Sequence, residues 1–394
     1  MKIAFLCYSF IPRLGGAQIF SFNLIKSLIK SGHEVDLYLP QKDSILFNES
    51  FPNSFIIAKS ILKYENKLAE SFPIILRKRL KYLQKLKKYD IWQVVGAYPG
   101  GWVVKDLSKV VPVVLRSHGD DIQKDSSLNY GSALDPKIDR KISQVLNKVT
   151  HLVALTKTVE KCYTDFQVNK TKITEIHNGV EIKHFLKSVD LATERKKLGI
   201  NKNQTFILSV GRYHKKKGYE LLPDTISHLL KEGFDIKWVI VGKNVTRLKE
   251  KFKEKGLQDN IILIEEVGSI VESLSDLKFP SDYIVRLYKS ADIFVMPSLL
   301  ETFGMVLIEA MASHLPVVTT NAPGCRDVVQ NGNNGLVVPT SNPMEMAIAI
   351  RDILENEELK SRLVSNGYKF ATDHDWMNIT NQYVSLYEDI LRRD

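Results

Sequence analysis

Short apolar runs alternate with longer amphipathic stretches along the whole chain. "KIAFLCYSF" opens it and reads as a buried strand. "AQIFSFNLIKSLIKSG" follows with apolar residues at helical spacing and stops at Gly32. "EVDLYLP", "DIWQVVG", "VPVVLRSHG", "HLVALT" and "KITEIHNGV" repeat the strand signal. Each is apolar on both faces and bounded by turn residues. That is the pattern of a parallel sheet covered by helices on both sides.

A second series starts beyond residue 190 with "QTFILSVGR". "IKWVIVGK", "NIILIEEVG", "ADIFVMPS", "LPVVTTNAPG" and "NGLVVP" continue it, with helix-length segments between. The pattern predicts two doubly wound α/β domains in tandem, residues 1–190 and 191–374. The polar stretch "HFLKSVDLATERKKLG" lies between them. A last helix over 375–394, "WMNITNQYVSLYEDILRRD", is expected to cross back to the first domain. Open parallel sheets bind ligands beyond the carboxyl ends of their strands, so two such domains facing a cleft would offer a donor edge and an acceptor edge.

Composition narrows this picture. The 394 residues exceed a single typical core, and 44% hydrophobic with 25% charged residues suits a globular protein. The net charge of +10 is uneven: residues 1–190 hold 29 Lys and Arg against 18 Asp and Glu, and the remaining 204 hold 26 against 27. The halves are therefore expected to meet different partners. No apolar run is long enough to cross a bilayer. The start, "MKIAFLCYSFIPRLGG", has one Lys before a short apolar run but lacks a small-residue cleavage site, so it is read as the first strand. Cys7, Cys162 and Cys325 are far apart and form neither a zinc spacing nor an even disulfide set, which fits a reducing cytoplasm.

Several turns carry residues suited to chemistry. In "LLETFGMVLIEA", Glu301 falls at a strand-to-helix turn and Glu309 two turns further on. Ser298 or Thr302 is expected to start that helix. A carboxylate accepts several sugar hydroxyls at once, and free N–H groups at a helix start suit an anion. In isolation, a dipole-stabilising Glu301 and an exposed Glu309 explain the pair better. "SVGRYHKKKG" places Arg212 just after a strand and Lys217 five residues on, a combination suited to a diphosphate or to a solvated basic loop. Gly15 and Gly16 occupy the first strand-to-helix loop, where backbone can approach a ligand or simply turn. This is not G-x-G-x-x-G, which argues against a dinucleotide oxidoreductase. "SHGDD" ends another strand with His118, and Asp120–Asp121 are adjacent with no second metal cluster. "HNGV" places Asn178 and Gly179 at a further strand end.

Together these motifs resemble the retaining GT-B glycosyltransferases of glycosyltransferase family 4. The ordered set spans nearly the whole chain: the glycine pair, "SHGDD", "HNGV" followed by Phe185, "GR…KKG", "ETFGMVLIE", "NAPGCRDVV" and "NGNNGLVV". The resemblance implies a nucleotide-sugar as donor substrate, no cofactor and no metal. It implies that Glu309 holds the ribose, and that Glu301, Thr302 and the N–H groups around Phe303, Gly304 and Met305 hold the sugar. Arg212 and Lys217 would carry the diphosphate, Gly15 and Gly16 would approach phosphate or sugar, and Val267 would meet the base. His118 would stand beside the reacting sugar. Asp327 stands where many members carry Glu, and Thr302 replaces a common Pro or Gly. The link 265–294 is longer than usual.

Three functions compete: a transferase acting on a polysaccharide, glycan or lipid-linked acceptor; a synthase of a small soluble glycoside; and a non-catalytic nucleotide-sugar-binding protein. The intact Arg212, Lys217, Glu301 and Glu309 favour catalysis. Residues 59–88 hold 10 Lys and Arg against 2 Glu, with Leu, Ile and Phe interleaved. This favours the first function, with an enzyme peripheral at the cytoplasmic face of an anionic membrane. A solvated basic helix pair is the alternative. No nucleic-acid recognition motif accompanies the charge.

Overall fold

A computed structural model describes residues 1–12, 15–50, 56, 58–60, 73–265 and 277–393. The chain divides into two compact units, one built from Met1–Asn178, Val271–Leu277 and Trp376–Asp394, the other from Gly179–Ile270 and Lys278–Asp375.

The first unit holds a seven-stranded parallel sheet in the order β3-β2-β1-β4-β5-β6-β7. Its strands are β1 (Lys2–Leu6), β2 (Glu34–Leu39), β3 (Ala58–Ser60), β4 (Ile91–Val95), β5 (Val113–Arg116), β6 (His151–Ala154) and β7 (Ile173–Glu175). All but β3 were legible as apolar runs; β3 is three residues long, too short to show a pattern. The central strands are buried throughout, as two-sided packing demands. The strand order reverses between β1 and β4, where Leu6 is in register with Val94.

The C-terminal helix Trp376–Arg393 packs within this unit. Tyr387 donates from its hydroxyl to Gln93 at 2.7 Å, and Tyr383 accepts from Arg116 at 2.5 Å. Both tyrosines are fully buried, so these bonds satisfy polar groups that water cannot reach.

The second unit holds a six-stranded parallel sheet in the order β10-β9-β8-β11-β12-β13. The strands are β8 (Thr205–Val210), β9 (Ile236–Val241), β10 (Ile261–Ile264), β11 (Ile293–Met296), β12 (Val317–Thr320) and β13 (Leu336–Val338). One core joins Ile207, Trp238 and Val295 of the sheet to Ile226, Leu229 and Ile350 of its covering helices. Here the order reverses between β8 and β11. The polar stretch before β8 is partly helical, Leu191–Lys197, capped by Asp190, and Arg195 ties it to Asp292 at 3.1 Å.

Candidate active site

The crevice at a strand-order reversal is where open α/β sheets bind ligands. In the second unit the two loops leaving that point are the ones carrying Arg212 with Lys217, after β8, and Glu301, after β11. Lys217 Nζ lies 2.6 Å from Glu301 Oε1, and Lys216 Nζ 3.8 Å from Oε2. The loops are also joined through backbone: Leu299 N–H donates to Lys216 O at 2.7 Å. Gly218 makes this approach possible. It is left-handed (φ 65°), and a Cβ there would lie 2.0 Å from Pro297 O. Arg212 is exposed and Lys217 half-buried.

Glu301 is 6% exposed. Burial alone works against its ionised form, but Lys217, Lys216 and Arg212 outweigh that cost and bring its pKa to about 2. It is a carboxylate at any physiological pH. His214 stays below the ordinary histidine range through burial and the charges of Arg212, Lys216 and Lys217.

The helix expected from Thr302 begins later, at Met305, and runs to Ala312. Neither Ser298 nor Thr302 caps it. Gly304 stands at its start in a left-handed conformation, φ 76°, with no side-chain cap. Thr302 and Phe303 are buried in the turn before it. The N–H groups around Phe303, Gly304 and Met305 therefore belong to a turn that leads into the helix. Glu309 lies inside the helix, buried, and accepts from the Tyr288 hydroxyl at 3.0 Å. Burial and then the Glu309 charge raise the Tyr288 pKa well above its usual range, so the phenol remains a donor.

In the first unit, Gly15 precedes the helix Gly16–Lys30 with extended backbone. His118 follows β5. Its ring lies 4.9 Å from that of Phe20, and burial, then the charge of Arg116, pushes its pKa far down, so the imidazole is neutral. Asp121 shapes the loop: it accepts from Ala97 N–H at 2.7 Å, His118 N–H at 3.0 Å and Gly119 N–H at 3.2 Å. Arg116, fully buried, donates to Asn178 at 2.7 Å and to Ile176 O at 3.0 Å, and stacks 4.1 Å over Phe20. Asn178 of "HNGV" is thus anchored to the strand that presents His118. Val267 lies outside the described residues.

Sequence reasoning missed Lys216, Tyr288 and Arg116, and the loop-shaping role of Asp121. Lys216 was hidden in a lysine run. Tyr288 sits 21 positions from Glu309 with nothing local to connect them. Among the described residues no three His, Cys, Asp or Glu side chains group as metal ligands, and no helix is long and apolar enough to cross a membrane.

Two family models match in tandem: Glycosyltransferase Family 4 over residues 14–184 and Glycosyl transferases group 1 over residues 190–370. The chain belongs to glycosyltransferase family 4. This glycosyltransferase is 27% identical to an uncharacterized glycosyltransferase of Methanocaldococcus jannaschii, over 98% of both chains. It is 22% identical to the N-acetyl-alpha-D-glucosaminyl L-malate synthase of Bacillus anthracis, over 100% of this chain and 98% of that one. HepE of Anabaena, solved in complex with UDP-glucose, superposes with a TM-score of 0.77 at 20% identity, covering 99% of this chain and 100% of that one. That likeness shows the fold, GT-B. Membership makes the protein a retaining, hexosyltransferase-type enzyme that uses a nucleotide-sugar donor.

Proposed function

We propose that the second unit holds the nucleotide diphosphate-sugar at the β8/β11 reversal and that the first unit takes a polysaccharide, glycan or lipid-linked acceptor at the cytoplasmic face of a membrane. The observation that carries the donor reading is the approach of Lys217 to the buried Glu301 at 2.6 Å, beside Arg212. In this reading Arg212 and Lys217 bind the diphosphate, and Glu301 with the turn Thr302–Met305 binds the sugar. Glu309, oriented by Tyr288, binds the ribose. Val267 is assigned to the base through its backbone. His118 and the Gly15–Gly16 turn are the first unit's contribution to the same reaction.

The chemistry follows from charge. The bond between anomeric carbon and diphosphate breaks, leaving its electron pair on the phosphate oxygen and positive charge on the sugar. Arg212, Lys217 and turn N–H groups offset the growing negative charge. A neutral His118 presents a lone pair to the positive centre, which an imidazolium would repel. The acceptor hydroxyl attacks from the face the diphosphate leaves, so configuration is retained, and its proton passes to the departing phosphate.

The membrane location is supported by the helix Pro73–Lys87, where Ile74, Ile75, Tyr82 and Leu86 are exposed among Lys78, Arg79, Lys81 and Lys85. Residues 61–72 of the same basic stretch lie outside the described residues. A small soluble acceptor is the second reading, favoured by the likeness to the N-acetyl-alpha-D-glucosaminyl L-malate synthase. The test is incubation of the purified chain with a panel of nucleotide-sugars while nucleoside diphosphate release is followed. One donor should be hydrolysed slowly without acceptor. Absence of release and of donor binding across the panel would defeat the reading.

A further inference from the structure

The reversal point of the first sheet is lined by groups that the donor chemistry leaves unused. Tyr8 follows β1 and Tyr98 follows β4, the two strands between which the order reverses. They are neighbours: a Cβ on Gly100 would lie 3.5 Å from Tyr8 Cδ2, and burial, then Tyr98, raises the Tyr8 pKa. The turn between them and the next helix is "YPGG". At Gly101 a Cβ would come within 2.6 Å of both Leu115 and Val145, so only glycine lets the helix Pro136–Lys148 pack directly on this turn. That close packing carries Lys141 to the reversal point. Its Nζ lies 5.2 Å from the Tyr98 ring centre and 5.7 Å from that of Trp102.

The surroundings are positive. Lys105 is buried, sits 3.6 Å over Trp102 and donates to Gln144 at 2.8 Å. Burial, then the charges of Arg77 and Lys148, holds its pKa below the usual lysine range. Arg77 lies 4.9 Å from the Trp102 ring and 3.5 Å from Asp106, which Lys148 also approaches at 3.8 Å. Of the nearby carboxylates, Asp106 is thus shared by two cations, Asp139 is paired with Lys124, and Asp121 is taken up by three N–H groups. Among the described residues Lys141 has no carboxylate partner and the Tyr8 hydroxyl no hydrogen-bond partner. Tyr8, Tyr98 and Lys141 are all half-buried, held in place yet reachable.

We infer that Tyr8 and Lys141, the latter held against the Tyr98 ring, form a phosphate subsite for the acceptor at the β1/β4 reversal. The inference rests on the proposed function for what the site serves. A surplus of cations over available carboxylates, with the phenolic O–H of Tyr8 beside them, suits a dianion better than a neutral sugar. Phosphate esters reach an enzyme from two sources, a lipid-linked phosphate or a small soluble phosphate monoester, and the subsite reads the chemistry they share.

The experiment titrates the full chain with inorganic phosphate by calorimetry, in saturating nucleoside diphosphate so that Arg212 and Lys217 are occupied. Wild type should bind phosphate, and Lys141→Glu should weaken binding by at least about ten-fold, Tyr8→Phe by less. Unchanged thermal unfolding would show that both variants fold. No phosphate binding by wild type at tens of millimolar, or equal binding by Lys141→Glu, overturns the subsite. A second measurement compares phosphate monoesters of polyols and sugars with their dephosphorylated parents, and vesicles with and without a phosphate-terminated lipid, as stimulants of nucleoside diphosphate release. Stimulation by the phosphorylated member of a pair supports the subsite, and which arm responds names the source. Equal stimulation by the neutral parent overturns it. Failure of the proposed function would instead appear as no donor binding or release by wild type, with phosphate binding intact.

Discussion

Lys217 and Glu301 come from loops 84 positions apart in sequence, yet their charged atoms meet at 2.6 Å in a buried turn. The pair exists because β8 and β11 are neighbours in the sheet, so the loops that leave them share one crevice. Its first consequence is a pH signature. Glu301 has its pKa lowered from 4.5 to about 2, so its stabilisation is fully present above about pH 4.5 and is lost as pH falls toward 2. Glu301→Gln should be less stable than wild type at neutral pH, and the gap should close as pH falls through that window. Denaturant unfolding at a series of pH values would measure it. A gap that stays constant down to pH 2 would show that the pair contributes no linked stability.

Arg212 and Lys217 should separate when each is replaced by Ala. On the proposed donor site both variants should lose a charge-assisted contact to the diphosphate, worth roughly 2–4 kcal/mol, or about 30- to 1,000-fold in transfer rate. Only Lys217→Ala also leaves Glu301 buried with the more distant Lys216, so it alone should lower the melting temperature clearly. Near-normal turnover in the double variant would remove both residues from the reaction.

How much of this was legible depended on the range of each interaction. Strands such as "QTFILSV" and "DIWQVV" announce themselves because burial on both faces demands a continuous apolar run. Glu301, Arg212 and Lys217 were legible because each follows such a run at a strand's carboxyl end. Tyr288 was not, since nothing near it in sequence refers to Glu309. The helix start at Met305 was misjudged because Ser298 and Thr302 imitate caps. The left-handed conformation of Gly304 sets the start instead. Asp121 stands beside Asp120 in no metal spacing, and only its bonds to N–H groups show it organising the loop that carries His118.

The two glutamates should divide between the parts of the donor. Glu309→Ala should weaken both donor and free nucleoside diphosphate. Glu301→Ala should spare the free diphosphate and lower transfer. Tyr288→Phe removes the hydroxyl that donates to Glu309, a bond worth about 1 kcal/mol, so it should weaken nucleoside diphosphate about five-fold. Calorimetric titration of the three variants checks the set. Equal losses in the Glu301 and Glu309 variants would show that the roles are wrongly divided.

Transfer should proceed in the presence of a chelator. The motive is the proposed role of Arg212 and Lys217 at the diphosphate, where they would supply the positive charge that a divalent ion supplies elsewhere. Loss of activity on chelation with recovery on adding magnesium or manganese would contradict this.

The helix Pro73–Lys87 should bring the first unit to an anionic membrane. Leu76 and Leu80 face the core, and among the described residues the opposite side is exposed. That side exposes Ile74, Ile75, Tyr82 and Leu86, and around them Lys78, Arg79, Lys81 and Lys85. Arg77 is different: it donates to Trp102 O at 3.1 Å and pairs with Asp106, so it stabilises the fold and belongs outside the test. Each basic residue at such a surface contributes about 1 kcal/mol, and screening removes much of it at high salt. Changing Lys78, Arg79, Lys81 and Lys85 to Glu should therefore abolish cosedimentation with vesicles rich in anionic lipid. Replacing Ile75 and Tyr82 by Ser should weaken it in a less salt-sensitive way, because the loss is apolar. Vesicle binding unchanged by the charge reversal, or absent from wild type at low salt, would make this an ordinary solvated helix and turn the choice of acceptor toward a soluble one.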